Sequence, residues 1–292
     1  MTGIKHSEYE WISAGNKKIY GQSWHPATGK KPVAVVIIIH GLGEHSGRYV
    51  RWAGLFVQQG MAVLSQDMIG NGRSEGRRGH SRNFQKLMDQ VDFIVSRSEE
   101  LFPEVPAILY GHSWGGNLVA NYAMSKDPGV QAVIISSPWL RLAFEIPWYL
   151  KLLSRTLTPV LPSLVIKTNS SSGNRSHDPV INEEAKNDPL MHCKISLRMF
   201  QITRDRGFYA MKNVYKLNKP FLIMHGSGDV TTSPSASEEM ARNTSPLTTL
   251  KIWDGLYHEL HSEYEYKEVF RYVMEWLQKM NIINPANVKA KT

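Results

Sequence analysis

The sequence predicts an α/β fold: a mostly parallel central sheet with helices on both faces and a helical cap inserted after the sixth strand. Three observations predict it. Short apolar, β-branched runs alternate with amphipathic helical patterns along the first half of the chain and again near its end. The run at 33–39 is apolar without a break, as expected of a strand buried on both faces. Finally, about 80 residues between the runs at 132–136 and 221–224 contain no clear strand, a length that exceeds an ordinary loop.

The elements follow in order. Segments 8–14 and 18–24 read as an opening hairpin, and 33–39 as the first buried strand. Residues 48–59 read as a helix with Val50, Ala53, Leu55 and Phe56 inward, followed by a strand at 62–66. A longer amphipathic helix is expected over 84–102, where Leu87, Val91, Ile94 and Val95 recur at helical spacing. A strand at 106–110, a helix at 115–124 and a sixth strand at 132–136 complete this half. After the gap come a strand at 221–224, a helix at 238–243, a strand at 248–253 and a helix at 262–280. Ser262 and Glu265 fit a capping box for that last helix. The predicted organisation is a core of residues 1–137 and 220–292 with a cap at 138–219 lying over the strand ends, where such sheets bind ligands. The polar stretch from Asn169 to Asn174 reads as a loop.

Composition narrows the class. The chain has 292 residues, 42% of them hydrophobic and 10% aromatic, enough to build a sizeable core, so a disordered chain is excluded. Cys193 is the one cysteine, which excludes an intramolecular disulfide and a cysteine-based zinc site. No basic segment followed by an apolar stretch opens the sequence, and the longest apolar run falls far short of the roughly 20 residues of a membrane span. A cytoplasmic protein, at most peripheral at a membrane, is expected. The net charge is +8, and most of it lies in the cap, where 13 Lys and Arg face 6 Asp and Glu, an excess of 7. No helix-turn-helix, zinc or RRM pattern accompanies this charge, and its basic residues are interleaved with apolar ones, so no nucleic-acid partner is expected.

The chemistry begins at Gly111-His112-Ser113-Trp114-Gly115-Gly116. A strand runs straight into this G-x-S-x-G and a helical pattern leaves it, the strand–turn–helix setting in which a serine hydroxyl is presented as a nucleophile. Glycine is required beside so sharp a turn because side chains there would meet the neighbouring strand and helix. A serine hydroxyl needs a base. Two histidines follow the last strand: His258, nearer the strand end, is favoured, while His261 abuts the next helix and is expected to point outward. The base in turn needs a carboxylate. Asp229 ends the buried strand and Gly-rich turn that begin at Phe221; Asp254 competes, but it ends the same strand that delivers the histidine. The order Ser113, Asp229, His258 is that of the α/β-hydrolases. The loop from His40 to Tyr49 follows the first buried strand and can aim the Leu42 backbone N–H at a developing oxyanion. The Trp114 N–H supplies a second donor, leaving both side chains to shape the pocket. This chemistry calls for no cofactor or metal.

At these residues the sequence resembles the monoacylglycerol lipases and related lysophospholipase-like hydrolases. The matching stretches are 40–49, 67–76, 111–116, Asp188-Pro189-Leu190, 225–229 and 257–263, which together span most of the chain. The resemblance implies an α/β-hydrolase fold and hydrolysis of a lipid-like ester with one acyl chain and a small polar head. It also implies a polar cluster of Glu44, Arg48 and His112 beside that head. Asn71 stands where the family usually has histidine, and Trp114 where it commonly has methionine.

The first part of the cap, 138–153, is dense in Trp and Leu with interspersed Arg and Lys. That suits either an interfacial segment drawn to anionic membranes or a docking surface on the core. The function expected is therefore a serine hydrolase cleaving lipid-like carboxylic esters. Alternatives are an esterase or thioesterase acting on small soluble acyl substrates and, with an intact triad against it, a non-catalytic binding protein on the same scaffold.

Overall fold

The structure, a computed structural model, describes residues 3–27, 29–126, 129–168, 175–243 and 246–284. Its centre is an eight-stranded sheet. The first strands are β1 (Ile4–Ile12), β2 (Lys18–Pro26), β3 (Val35–Ile39), β4 (Ala62–Gln66), β5 (Ala107–His112) and β6 (Ala132–Ser136). After them the chain forms a short ribbon, β7 (Val165–Lys167) with β8 (Lys194–Ser196), before returning to the sheet as β9 (Phe221–Gly226) and β10 (Thr248–Trp253). The order across the large sheet is β1-β2-β4-β3-β5-β6-β9-β10. Within that sheet the pairs β1–β2 and β2–β4 are antiparallel and the other pairs are parallel.

The β-branched runs explain why the sheet is covered on both sides. In β3, Val35, Ile37 and Ile39 face one layer, while Val36 and Ile38 face the other. The first layer packs against α2 (Gln85–Leu101), α3 (Trp114–Ser125), α6 (Leu197–Asn213) and α7 (Pro234–Arg242). The second packs against α1 (Val50–Gln58) and α8 (Tyr266–Lys279). All five β3 side chains are buried, each contributing roughly 1.5–3 kcal/mol on the transfer scale.

Among the described residues, the segment between β6 and β9 adds no strand to the large sheet. It carries α4 (Trp148–Leu157), β7, α5 (Pro179–Asn187), β8 and α6. The ribbon was not foreseen, because three-residue strands carry too few side chains to show alternation. The loop expected from Asn169 to Asn174 lies outside the described residues. The last helix begins at Tyr266 rather than Ser262: residues Leu260–Ser262 form a turn of 3-10 helix, and the N-cap, Glu265, makes no side-chain cap bond. The expected capping box is therefore absent. The expected helix at 238–243 starts earlier, at Pro234, where Ser233 caps it by accepting from the Ala236 N–H.

Candidate active site

Three strand ends deliver the site. Ser113 follows β5 with φ 53° and ψ −117°, a left-handed backbone that costs a non-glycine residue energy and is held here by its surroundings. Its N–H donates to the Ser136 carbonyl, and its own carbonyl accepts from Asn117 and Trp139. The flanking glycines are needed sterically. A Cβ on Gly111 would lie 2.5 Å from the Gly115 carbonyl oxygen, and one on Gly115 would lie 2.2 Å from that of Ile39.

Asp229 lies past the end of β9 and His258 past the end of β10. Ser113 Oγ lies 3.0 Å from His258 Nε2, and His258 Nδ1 donates to Asp229 Oδ2 at 2.7 Å. All three residues are buried. Asp229 Oδ2 also accepts from Thr232 Oγ1 at 2.7 Å, and Oδ1 accepts from the Thr231 and Thr232 N–H groups. Burial alone would raise the Asp229 carboxyl; the His258 charge and hydrogen bonds from His225 and His258 overturn that and hold it far below the usual carboxylate range. Burial alone would lower His258, but the Asp229 charge and hydrogen bond prevail and raise it above an ordinary histidine. Asp254, the competing acid, is exposed and bound to Ser227 Oγ.

The loop after β3 is fixed from several sides. His40 Nε2 accepts from the Met68 N–H, leaving Nδ1–H for the Gly41 carbonyl. The Gly41 N–H donates to Glu44 Oε1, which also accepts from Tyr49 Oη. Gly43, at φ +78°, donates its N–H to Asn71 Oδ1 and accepts from the His192 N–H. Asp67 takes the Ser46 N–H and hydroxyl on Oδ1 and the Arg73 N–H on Oδ2. His45 Nε2 meets Asp188 Oδ2 at 2.7 Å. These contacts give the stretches 40–49 and 67–76 and the Asp188-Pro189-Leu190 motif their physical meaning. Among the described residues, the Leu42 and Trp114 N–H groups donate to no protein acceptor. The Trp114 side chain does not shape a pocket as expected: it is 1% exposed and packs in the core.

Glu44, Arg48 and His112 do gather. Arg48 bonds Glu44 at 2.9 Å and grips Glu259 with two bonds of 2.7 and 2.8 Å. Burial opposes ionisation of Glu259, but the Arg48 charge and hydrogen bonds hold its carboxyl well below the usual range. His112 donates from Nδ1 to the Ser136 carbonyl, and its ring stands 4.8 Å from that of His258. Burial, with the His258 charge, pushes His112 down to about 3.

His261 is the main correction. It does not point outward; it is 2% exposed, stacked on Tyr49 at 4.7 Å and edge-on to His112 at 5.0 Å. The 3-10 turn at Leu260–Ser262 folds it inward. Residues missed from sequence are Glu259, Thr232 and His225. Each neighbours a residue that was chosen, but nothing in the spacing shows that its side chain turns toward the site.

Fold and site together define a serine hydrolase of the α/β-hydrolase class. Residues 30–265 match the family model of the serine aminopeptidase, S33, hydrolases, and the chain belongs to that family. It is 33% identical over 88% of its length to an abhydrolase domain-containing protein of Dictyostelium discoideum, of which it spans 27%. It is 31% identical to the monoglyceride lipase of Mus musculus, over 86% of this chain and 83% of that one. The crystal structure of Paleococcus ferrophilus monoacylglycerol lipase superposes with a TM-score of 0.78 at 27% identity, covering 95% of this chain and 99% of that one. By family, fold and site chemistry the protein is a carboxylic ester hydrolase.

Proposed function

We propose that the protein hydrolyses lipid-like esters carrying one acyl chain and a small neutral polar head, of the monoacylglycerol type. The observation that carries this reading is the buried line from Ser113 Oγ through His258 to Asp229, at 3.0 and 2.7 Å. Ser113 Oγ attacks the ester carbonyl as its proton passes to His258 Nε2. The carbonyl oxygen takes the negative charge and is held by the Leu42 and Trp114 N–H groups. His258 gives its proton to the leaving alcohol oxygen, and the acyl group remains on Ser113. Water then loses a proton to His258 and attacks the acyl carbonyl, and the proton returns to Ser113 as the acid leaves.

The head would sit by Glu44, Arg48 and His112. The Arg48 charge is already matched by two carboxylates, Glu44 and Glu259, which favours hydroxyl groups over a phosphate in this cluster. Monoacylglycerol is therefore expected to be cleaved faster than a lysophospholipid with the same chain.

Residues 138–219 are proposed to act as a cap that meets a lipid surface. On α4, Trp148 is 74% exposed, and Tyr149, Leu152 and Leu153 lie on the same side, each at least half exposed. With the basic excess of this segment, the reading is peripheral contact with anionic membranes. Among the described residues no helix is long and apolar enough to cross one.

Labelling with a fluorophosphonate probe tests the nucleophile. Wild type should label and Ser113→Ala should not, with hydrolysis of a p-nitrophenyl ester falling by about 10⁶-fold in kcat. Persistent labelling of the variant would assign the nucleophile elsewhere.

A further inference from the structure

Asp229 is held by more than the imidazole it serves. His225, the residue before the last of β9, brings its Nε2 to 3.0 Å from Asp229 Oδ2, and its Nδ1 lies 2.7 Å from Ser237 Oγ. Both His225 and Ser237 are completely buried. The line Ser237–His225–Asp229–His258–Ser113 thus joins helix α7, strand β9 and the three residues of the proposed triad.

We propose that His225, oriented by Ser237, is a positioning residue for the reaction: its Nε2–H holds the Asp229 carboxylate in the orientation that faces His258. The proposal rests on the triad reading above.

Two features support it. The first is the tautomer. Three oxygen groups face Nε2: the Asp229 carboxylate at 3.0 Å, and the Thr232 carbonyl oxygen and hydroxyl, each at 3.3 Å, the hydroxyl giving its own hydrogen to Asp229 Oδ2. A neutral imidazole carries one hydrogen, so that hydrogen belongs on Nε2, and Nδ1 accepts from the Ser237 hydroxyl. The second feature is what each donor is attached to. The Thr231 and Thr232 N–H groups and the Thr232 hydroxyl come from the same loop as Asp229 and would move with it. His225 sits in a strand paired on both sides, to β6 and β10. It ties the carboxylate to the sheet, the same frame that carries Ser113 and His258. A carboxylate free to turn would leave substrate binding unchanged but would orient the imidazole for a smaller share of the time.

Two substitutions of equal polarity separate this role from burial. In His225→Gln the amide nitrogen can occupy the place of Nε2 and donate to Asp229. In His225→Asn the amide reaches only the place of Nδ1, beside Ser237. With a soluble p-nitrophenyl ester, His225→Asn should lose roughly 10- to 100-fold in kcat with KM within about twofold, as removal of outer partners does at other oriented sites. His225→Gln should recover to within a few-fold of wild type. Equal kcat for the two variants, whether high or low, overturns the proposal. Nitrogen-15 NMR of the wild-type imidazoles provides a readout that does not depend on either variant folding. The His225 ring should be protonated at Nε2 and bare at Nδ1, and the opposite tautomer overturns the proposal, since Nε2 would then have no hydrogen to give. Asp229→Asn run alongside tells the two readings apart: if it keeps full activity the triad has been misassigned, whereas if it is inactive while Asn and Gln at 225 match, only the role of His225 fails.

Discussion

The strand ends of the core and helix α4 treat large side chains in opposite ways. At the ends of β3, β4, β9 and β10, the carboxylates of Glu44, Asp67, Asp229 and Glu259 are buried, and each is met by several donors. On α4, Trp148, Tyr149, Leu152 and Leu153 are exposed and none of the four belongs to either core cluster. The first region spent its conformational freedom on folding, and its groups wait in place for the reaction. The second keeps apolar area in water that could be covered by something else. On the proposed function, chemistry and access belong to different parts of one chain, and substitutions in the two should affect different measurements.

The largest expected effect lies in the first region. Asp229→Asn keeps the shape of the side chain but removes the charge that stabilises the His258 imidazolium and permits the wrong tautomer. A drop of about 10³–10⁴-fold in kcat is expected with a soluble short-chain ester. A loss of less than tenfold would mean that the preorganised end contributes far less than its geometry suggests.

A smaller effect follows from protonation. His258 must be neutral to accept the Ser113 proton, and its folded value is raised above the ordinary 6.5 because Asp229 outweighs burial. Activity is therefore present at high pH and lost as pH falls through that raised value. Below it, kcat/KM should fall about tenfold per pH unit. Burial holds His112 near 3 and His261 near 4, so neither neighbour titrates in this range. The acid limb should have a slope of one and a midpoint above 6.5. A midpoint below 6.5, or a slope of two, contradicts the arrangement of the three rings.

The same contrast explains what the sequence reveals. The central strands are legible because Val35–Ile39 and the runs at 107–110, 132–135 and 221–224 are continuously apolar, as expected of strands buried on both faces. Ser113, Asp229 and His258 are legible because each lies in the turn that leaves a strand, within five residues of its end, so position along the chain becomes position in space. His261 was misread because a single 3-10 turn, three residues long, decides whether that ring points out or in. Glu259 is not legible because its partner, Arg48, lies on another element and such pairing leaves no local period; His225 and Thr232 lie within four residues of Asp229, but spacing alone does not show that their side chains turn toward it. The segment 138–219 is legible only in outline. Its apolar residues serve both a buried helix, α6, where Met199 and Ile202 join the core, and an open one, α4. Both mix large apolar side chains with Lys and Arg, so packing rather than residue type separates them.

The smallest effect on turnover should come from α4, and it tests the comparison from the other side. In Trp148→Ser/Leu152→Ser/Leu153→Ser, no group of the proposed site is touched and no core packing is removed, because all three side chains are at least half exposed. With a soluble short-chain ester, kcat/KM should stay within about twofold of wild type. On vesicles containing anionic lipid the outcome should differ. If each side chain forfeits as little as ~0.5 kcal/mol of the ~1.5–3 kcal/mol available on full burial, partition onto the vesicles weakens by about tenfold or more. Co-sedimentation at low salt, with neutral vesicles alongside, measures this directly. Unchanged partition would show that the exposed face of α4 does not meet the lipid. A matching loss with the soluble ester would show that the helix shapes the reaction itself, and the division between chemistry and access would have to be redrawn.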